Sequence, residues 1–237
     1  MSDIKTQLPH LPSYQVRISH RAKRMQLKIS PLGAVEVVLP KRISAKHVAP
    51  FVAEHCHWIE QTQKKMAALY PPAERLPGTL KLAATEQQWA LTYLEGKRAR
   101  VAEVEGRLNV YSQNDDLAIK ALQRWLNRRA EAALIPWLHH ISDELELPFK
   151  RAVVRAQKTR WGSCSSSGTI SLNRALLFMP PNTVRYLFIH ELCHTKEMNH
   201  SARYWALVKS YAADYPQHEA VLNRGMSAMP RWALPIY

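Results

Sequence analysis

The chain has 237 residues, of which 46% are hydrophobic and 22% are charged, and its formal net charge is +14. These values are those of a globular protein with an apolar core, and 7 glycines are too few for a low-complexity chain. No run approaches the roughly 18 apolar residues of a membrane span, and the amino-terminal segment lacks the apolar stretch of a secretory signal. We therefore expect a cytoplasmic protein with no membrane partner, whose 3 cysteines stay reduced.

The positive charge is spread along the chain. Residues 1–113 carry 17 basic and 9 acidic side chains, and residues 114–237 carry 16 and 10. The positive electrostatic potential that results favours anionic partners such as nucleic acid or nucleotides. An equally good interpretation is a basic protein whose charge only keeps it soluble. The sequence does not indicate the number of subunits.

The first part of the chain has the alternating pattern of β-strands. Residues Tyr14 to Pro40 predict an antiparallel meander that turns at Pro31-Leu32-Gly33. Ser44 then begins a helix that Pro71-Pro72 ends.

A second group of strands follows this helix. The four strands are predicted at Thr79–Leu82, Gln88–Tyr93, Arg98–Val104 and Arg107–Tyr111. Glu95-Gly96 and Glu105-Gly106 are predicted to make hairpin turns between them. We therefore expect an amino-terminal β-rich domain with one helix, over residues 1–113.

The character of the sequence changes at Asn114-Asp115, which is a good amino-terminal cap for a long helix. The later elements are a strand, a turn-rich loop, a strand and two helices: Arg151–Ala156, Gln157–Gly168, Thr169–Asn173, a helix from about Asn182, and a helix from Ser201 to about Tyr215 that ends at Pro216. We predict an α+β fold whose second domain spans residues 114–237.

The helix predicted from Asn182 contains the motif H-E-x-x-H, from His190 to His194. Because residues four apart share a helix face, both imidazoles can bind one Zn²⁺ at about 2.0–2.1 Å. Glu191 lies about 100° around the helix, where it can take a proton from a water that the metal activates. We therefore expect a zinc hydrolase with Glu191 as general base, for which Mn²⁺, Co²⁺ or Ni²⁺ are substitutes for the metal.

A catalytic zinc needs a third protein ligand and an open position for water. His200 is the preferred third ligand, because the residues after His194 are enough to end the helix and turn the chain back. The competing candidates are Glu197, Asp214, His218 and Glu219. The three-histidine spacing is also that of metzincins, but Glu197 stands where their motif has glycine.

The loop before strand Thr169–Asn173 has residues suited to bind substrate. Gly162 and Ser163 can present backbone N–H groups, and Arg160 can bind a carboxylate, phosphate or oxyanion. Asn173 can bond the backbone of an extended substrate or, equally, its own loop. The alternative for Arg160 is an ion pair with a nearby acid.

Two kinds of substrate fit this site. A peptide would lie extended along a free strand edge, for which Thr169–Asn173 is the candidate. An anionic substrate, such as a nucleotide phosphoanhydride or a protein bound to DNA, would use the basic residues around the site: Arg151, Arg155, Lys158, Arg160, Arg174 and Arg185. A nucleic-acid-binding module with structural zinc is a third hypothesis, which a three-ligand site beside Glu191 disfavours.

Four segments together resemble a known family: Arg160-Trp161-Gly162-Ser163-Cys164, Gly168 to Asn173, His190 to His194, and Asn199-His200-Ser201 with Tyr204-Trp205. They are similar to the YgjP-like metal-dependent hydrolases, a family related to SprT-like and WLM zinc peptidases. The resemblance is specific over residues 150–210 and looser towards the amino terminus. It implies a minimal gluzincin-type, zincin-like fold, with His190, His194 and His200 as ligands and Glu191 as base. It does not imply a substrate.

Overall fold

The computed structural model of the protein describes residues 11–30, 33–69, 76–226 and 229–234. Within these residues the chain forms ten strands in three small sheets, and six α-helices, so the fold is α+β as predicted. Contacts divide the chain into two compact units between residues 73 and 74. The boundary predicted at residue 113 differs from this division and stays a prediction. No helix of the described residues is long and apolar enough to cross a membrane.

The sheet of the first unit has three strands, β1 (Tyr14–Ser19), β2 (Gln26–Ile29) and β3 (Val35–Pro40), in the order β1-β3-β2. β2 runs antiparallel to β3, whereas β1 runs parallel to it, with Ser19 opposite Pro40 at the end of the pair. The predicted antiparallel meander is therefore wrong for β1. The reason is that β3 is the most apolar of the three strands and is buried along nearly its whole length, so it takes the central position.

Two helices, α1 (Val48–Glu54) and α2 (Cys56–Leu69), replace the single helix predicted after Ser44. Ser44 precedes a short 3₁₀ turn, and Pro71-Pro72 lie outside the described residues. The helices and the sheet bury a common apolar core made of Val35, Val37, Leu39, Val48, Val52 and Ile59.

The second unit begins with a four-stranded sheet in the order β4-β5-β7-β6: β4 (Thr79–Leu82), β5 (Gln87–Glu95), β6 (Arg100–Val104) and β7 (Arg107–Ser112). Glu105-Gly106 makes the predicted hairpin between β6 and β7, with positive φ of 47° and 74°. Glu95-Gly96 does not make the predicted hairpin turn. The strand that follows it, β6, does not pair with β5, because β7 lies between them and pairs with β5 in parallel. Leu108 and Val110 of β7 are fully buried, which accounts for its inner position.

Helix α3 (Asp115–Glu144) follows, and the side chain of Asn114 caps it by accepting from Leu117 N at 3.0 Å. The third sheet has the order β8-β10-β9: β8 (Arg151–Arg155), β9 (Gly162–Cys164) and β10 (Thr169–Asn173). Two predictions about this sheet are wrong. The segment from Gln157 to Gly168 contains strand β9, and Thr169–Asn173 is the central strand, so the two edge strands are β8 and β9.

Three helices complete the unit: α4 (Pro181–Cys193), α5 (Ala202–Tyr211) and α6 (Tyr215–Gly225). Pro216 was predicted to end a helix that runs from Ser201. Instead the helix ends at Tyr211, and Pro216 lies in the first turn of α6. A proline is tolerated there because the N–H groups of a first turn have no partner within the helix.

Arg174, directly after β10, is a buried residue whose hydrogen bonds join distant parts of this unit. It is 4% exposed, and its guanidinium donates to Gln123 O at 3.2 Å, Asn127 Oδ1 at 3.1 Å and Ala233 O at 2.9 Å. Burial lowers the pKa of Arg174 to about 10. The contacts join helix α3 to the segment near the carboxyl terminus, so the role of this arginine is structural.

We predict that Arg174→Ala lowers the free energy of unfolding by about 2–3 kcal/mol, because it leaves buried acceptors without a donor. The matched control is Arg185→Ala. Arg185 bonds Glu144 at 2.6 Å on the surface, and its loss is expected to lower the free energy by about 0–1 kcal/mol. Urea unfolding followed by tryptophan fluorescence measures both, and equal losses would contradict the structural role of Arg174.

Candidate metal centre

Helix α4 and the turn after it bring three histidines together. His190 lies on the last turn of α4 and His194 caps its carboxyl end, one helical turn further on. His200 immediately precedes Ser201, whose hydroxyl caps α5 by accepting from Tyr204 N at 3.3 Å. One ring nitrogen from each histidine lies within 4.8 Å of the others, and the Nε2 atoms of His190 and His200 are 3.3 Å apart. The structure thus groups the three histidines that the sequence singled out.

The side chains around these rings leave Nε2 of two of them directed at the common centre. The Nδ1–H of His194 donates to the carbonyl oxygen of Glu197 at 3.1 Å. Nδ1 of His190 lies 3.3 Å from the hydroxyl of Tyr186 and 3.8 Å from a carboxylate oxygen of Glu219. Contacts of this kind fix ring orientation in metal sites.

Burial keeps the first two histidines neutral, which is the form that binds a metal. It lowers the pKa of His190 to about 3, with help from His194 and His200, and it also lowers the pKa of His194. The four competing candidates for third ligand do not join the cluster. Glu219 lies near His190, but on the side of Nδ1, away from the Nε2 atom that faces the other histidines. Its carboxylate accepts a hydrogen bond from Tyr186 OH at 2.5 Å.

Tyr204 of α5 joins that helix to α4, which carries His190 and His194. It is fully buried, its ring stacks on His194 at 4.5 Å, and its hydroxyl donates to His190 O at 3.0 Å. From the sequence, Tyr204 was recognised only through the family resemblance. Glu219 was predicted only as a competing third ligand, and its contact with Nδ1 of His190 was not predicted. A tyrosine followed by tryptophan on a predicted helix carries no signal for the contacts of Tyr204, because they depend on the tertiary arrangement of α4 and α5.

Glu191 lies on the wall of the same cleft and is 3% exposed. Burial raises the pKa of Glu191 to about 8, and the charge of Arg160 and the backbone N–H of Cys164 oppose that rise. Its Oε2 has no hydrogen-bond partner. Among the described residues, the carboxyl group therefore has one buried oxygen without a hydrogen-bond partner.

Gly162 on strand β9 is required by this carboxylate. A Cβ atom at Gly162 would lie 2.9 Å from both Cγ and Cδ of Glu191, which real Cβ atoms essentially never do. The absence of a side chain thus lets the backbone of β9 pass directly over the glutamate.

The cleft has a volume of about 330 Å³. Besides the three histidines and Glu191, it is lined by Arg160, Gly162, Ser163, Cys164 and Met198. Three of the predicted substrate-binding residues, Arg160, Gly162 and Ser163, therefore lie at the cleft, and their contact with substrate stays a prediction.

The fourth, Asn173, does not reach the cleft, so its prediction as a substrate-binding residue is wrong. It is 1% exposed, and its amide donates to Gln157 O at 2.9 Å and Arg160 O at 2.8 Å. Its Oδ1 accepts from Ala175 N at 3.1 Å. Of the two interpretations that the sequence allowed, Asn173 follows the second, because both hydrogen bonds of its NH₂ group go to the loop that carries Arg160 and its Oδ1 bonds the backbone of the next turn.

The basic residues predicted around the site are mostly elsewhere. Arg160 lines the cleft, whereas Arg174 is buried in its structural role and Arg185 pairs with Glu144. Burial also affects the two cysteines near the site, since it raises the pKa of Cys164 to about 11 and that of Cys193 to about 12.

Strand β9 presents a free edge at the cleft. Trp161 O accepts from Asn173 N at 2.8 Å and Ser165 N donates to Thr169 O at 3.0 Å. Because hydrogen-bonded pairs alternate along an antiparallel ladder, Ser163 also faces β10, while Gly162 and Cys164 point their N–H and C=O groups the other way. The expectation that both Gly162 and Ser163 expose N–H groups is correct only for Gly162.

The chain is similar to a known family and to solved structures. The family model of the YgjP-like metallopeptidase domain matches residues 23–225. The metallopeptidase zymogen of Pyrococcus abyssi abylysin is 26% identical over 40% of this chain and 94% of its own, with a TM-score of 0.35. The metallopeptidase zymogen of Methanocaldococcus jannaschii jannalysin is 18% identical over 38% and 94%, with a TM-score of 0.35. These TM-scores are too low to support a structural argument. No curated protein matches the chain.

We predict that Gly162→Ala lowers the free energy of unfolding by about 1–3 kcal/mol, because the new methyl group overlaps Glu191. In a Glu191→Ala background the same substitution should lower it by much less, since the overlapping atoms are gone. Ser163→Ala on the same strand is the control and should change it by about 0.5 kcal/mol or less. Denaturant unfolding of the four-member cycle measures the coupling, and zero coupling would contradict the contact.

Proposed function

Because this chain belongs to the YgjP-like metallopeptidase domain family, whose members are metal-dependent hydrolases, we propose that it is a zinc metallopeptidase. His190, His194 and His200 would hold the metal, and Glu191 would act as general base. The single observation that carries the proposal is the free edge of β9 beside the three histidines and Glu191.

The donor set fits zinc. Three neutral imidazoles are the ligand type that Zn²⁺ takes in catalytic sites, where the fourth position stays open for water or substrate. Mn²⁺, Co²⁺ and Ni²⁺ accept the same donors and are substitutes. When bound, the metal supplies polarisation of a carbonyl group and a lower pKa for water.

An extended peptide would lie along β9. Gly162 offers an outward N–H and C=O group to a peptide backbone, and Cys164 offers an outward C=O group. The N–H of Cys164 is directed at Glu191. A substrate aligned in this way has its scissile carbonyl beside the histidine cluster, since β9 crosses directly over Glu191.

Glu191 would then move the proton. Its carboxylate would accept a proton from the attacking water, and the carboxylic acid that forms would donate it to the nitrogen of the leaving amine. Burial raises the pKa of Glu191, and the charge of Arg160 opposes that rise, so Arg160 favours the carboxylate form that a general base needs. The buried position excludes bulk water from this transfer.

The competing proposal, hydrolysis of an anionic substrate such as a nucleotide phosphoanhydride, loses most of its support at the cleft. It relied on a group of basic residues around the site, and of that group Arg160 is the member that lines the cleft. One arginine can orient a carboxylate or phosphate but does not neutralise a triphosphate.

The test compares zinc-loaded wild type with Glu191→Gln on casein, with new amino termini as the readout. We expect Glu191→Gln to lower kcat/KM at least about 100-fold, because it removes the base and keeps the shape of the side chain. Equal rates in the two proteins would overturn the proposal. Nucleoside triphosphates form a second arm, and Glu191-dependent hydrolysis there without cleavage of casein would establish the anionic alternative.

Metal affinity tests the ligand set and the supporting residue separately. We expect His200→Ala to lose zinc binding at concentrations that saturate wild type, and Glu219→Gln to weaken it about 10–100-fold. The matched control is Glu197→Gln, because Glu197 supports His194 through its backbone carbonyl while its side chain pairs with Arg203 on the surface. Competition with a chromophoric chelator measures all three. Unchanged affinity in His200→Ala would contradict the ligand set.

A further inference from the structure

The first unit contains a cavity of about 790 Å³ that none of the residues discussed for metal binding or catalysis lines. It lies between the loop after β1 and the loop after β3. Five of its eight lining residues are basic: His20, Arg21, Lys23, Lys41 and Arg42. We call it the basic cavity.

The parallel pairing of β1 and β3 creates this cavity. Parallel strands end at the same edge of a sheet, so the loops that follow Ser19 and Pro40 leave side by side. An antiparallel pairing of these strands would have placed the two loops at opposite edges. The basic residues of the two loops are therefore neighbours in space although they are about twenty positions apart in the chain.

Ser19 fixes the two loops to each other. Its hydroxyl accepts from the backbone N–H groups of Arg21 at 3.3 Å and Ala22 at 3.2 Å, which curls the first loop. Its carbonyl accepts from Lys41 N at 3.2 Å, which joins the second loop to the first. The cavity is thus held by the backbone, and the long basic side chains are exposed from a fixed frame.

The charge of this unit is not neutralised locally. Residues 1–73 carry 11 basic and 4 acidic side chains, a net charge of +7, which is half of the total in less than a third of the chain. Within the described ranges, no acidic side chain lines the basic cavity, and its lysines and arginines make no ion pair. Glu36, the acid on strand β3, is engaged by Arg17 at 2.9 Å.

The walls indicate which anion fits. The three non-basic lining residues, Ala22, Pro40 and Ile43, are small or aliphatic, and no aromatic ring is among the described residues that line the cavity. A site for a free nucleotide has mostly apolar walls that hold the base, often by stacking. A dense group of cations without such walls suits a chain of phosphates instead.

We propose that the basic cavity binds the phosphate backbone of a nucleic acid, without reading its bases. The proposal does not depend on the peptidase activity, since it involves another unit and other residues. It predicts affinity that falls steeply with salt, because each phosphate contact releases counterions.

The experiment measures binding of a fluorescein-labelled duplex DNA of mixed sequence by anisotropy, in the full chain, at salt concentrations of about 50 to 200 mM. The test variant is Arg21→Ala with Arg42→Ala. The matched control is Lys64→Ala with Lys65→Ala, which removes the same charge from exposed positions on α2 outside the cavity.

We expect the test variant to bind roughly tenfold more weakly or worse at the lowest salt, and the slope of log K against log salt to fall by about 2. The control should keep the slope of wild type. Arg21→Lys with Arg42→Lys keeps both charges and should retain the salt slope. Circular dichroism and thermal melting verify that each variant is folded.

Three results would overturn the proposal. They are absence of DNA binding in wild type, equal weakening in the test variant and the control, and competition by ATP as effective per phosphate as that of unlabelled duplex. The second result would mean that net charge alone attracts DNA, and the third that the ligand is a free nucleotide. Equal competition by duplexes of different sequence is expected, and a strong sequence preference would contradict backbone recognition.

Discussion

The candidate centre depends on one close approach, that of the backbone of β9 to the carboxylate of Glu191. The approach is achieved only because residue 162 has no side chain. It buries Glu191, so its carboxyl group lies in a medium that disfavours the charge and leaves Oε2 without a partner. It also brings a free strand edge over the helix that carries His190 and His194. The same contact thus fixes the position of the proposed base relative to the histidines of α4 and to the strand edge.

Support for this contact comes from residues that do not face the cleft. Asn173 holds the loop before β9 through two carbonyl groups, and Tyr204 ties α5 to the backbone of α4. Glu219 of α6 lies behind His190, on the side away from the other histidines. A buried polar group in a well-packed region has few alternative arrangements, so these bonds restrict the geometry of the centre. The small sheet and three helices form a frame whose function is to position four side chains.

The sequence predicted the parts of the site that depend on local geometry. The spacing of His190 and His194 places them on one helix face wherever that helix lies, and His200 follows from the need for a third donor. The pairing of β1 and the edge position of Thr169–Asn173 were predicted incorrectly, and strand β9 was predicted to be part of a loop. Alternation shows which face of a strand is buried, but it does not show which strand lies beside it or in which direction. Strand β9 has only three residues, too few for a periodic signal.

The positions of the basic residues show two things that the net charge alone does not: which cations line the cleft, and which lie in another part of the chain. A total of +14 suggested an anionic substrate, yet Arg160 is the cation that lines the cleft among the described residues. Residues 1–73 hold half of the net charge, and there the basic side chains surround a cavity with no acid in its described lining. We therefore attribute the positive charge of residues 1–73 to the nucleic-acid partner proposed above, and a peptide remains the substrate that we propose for the cleft.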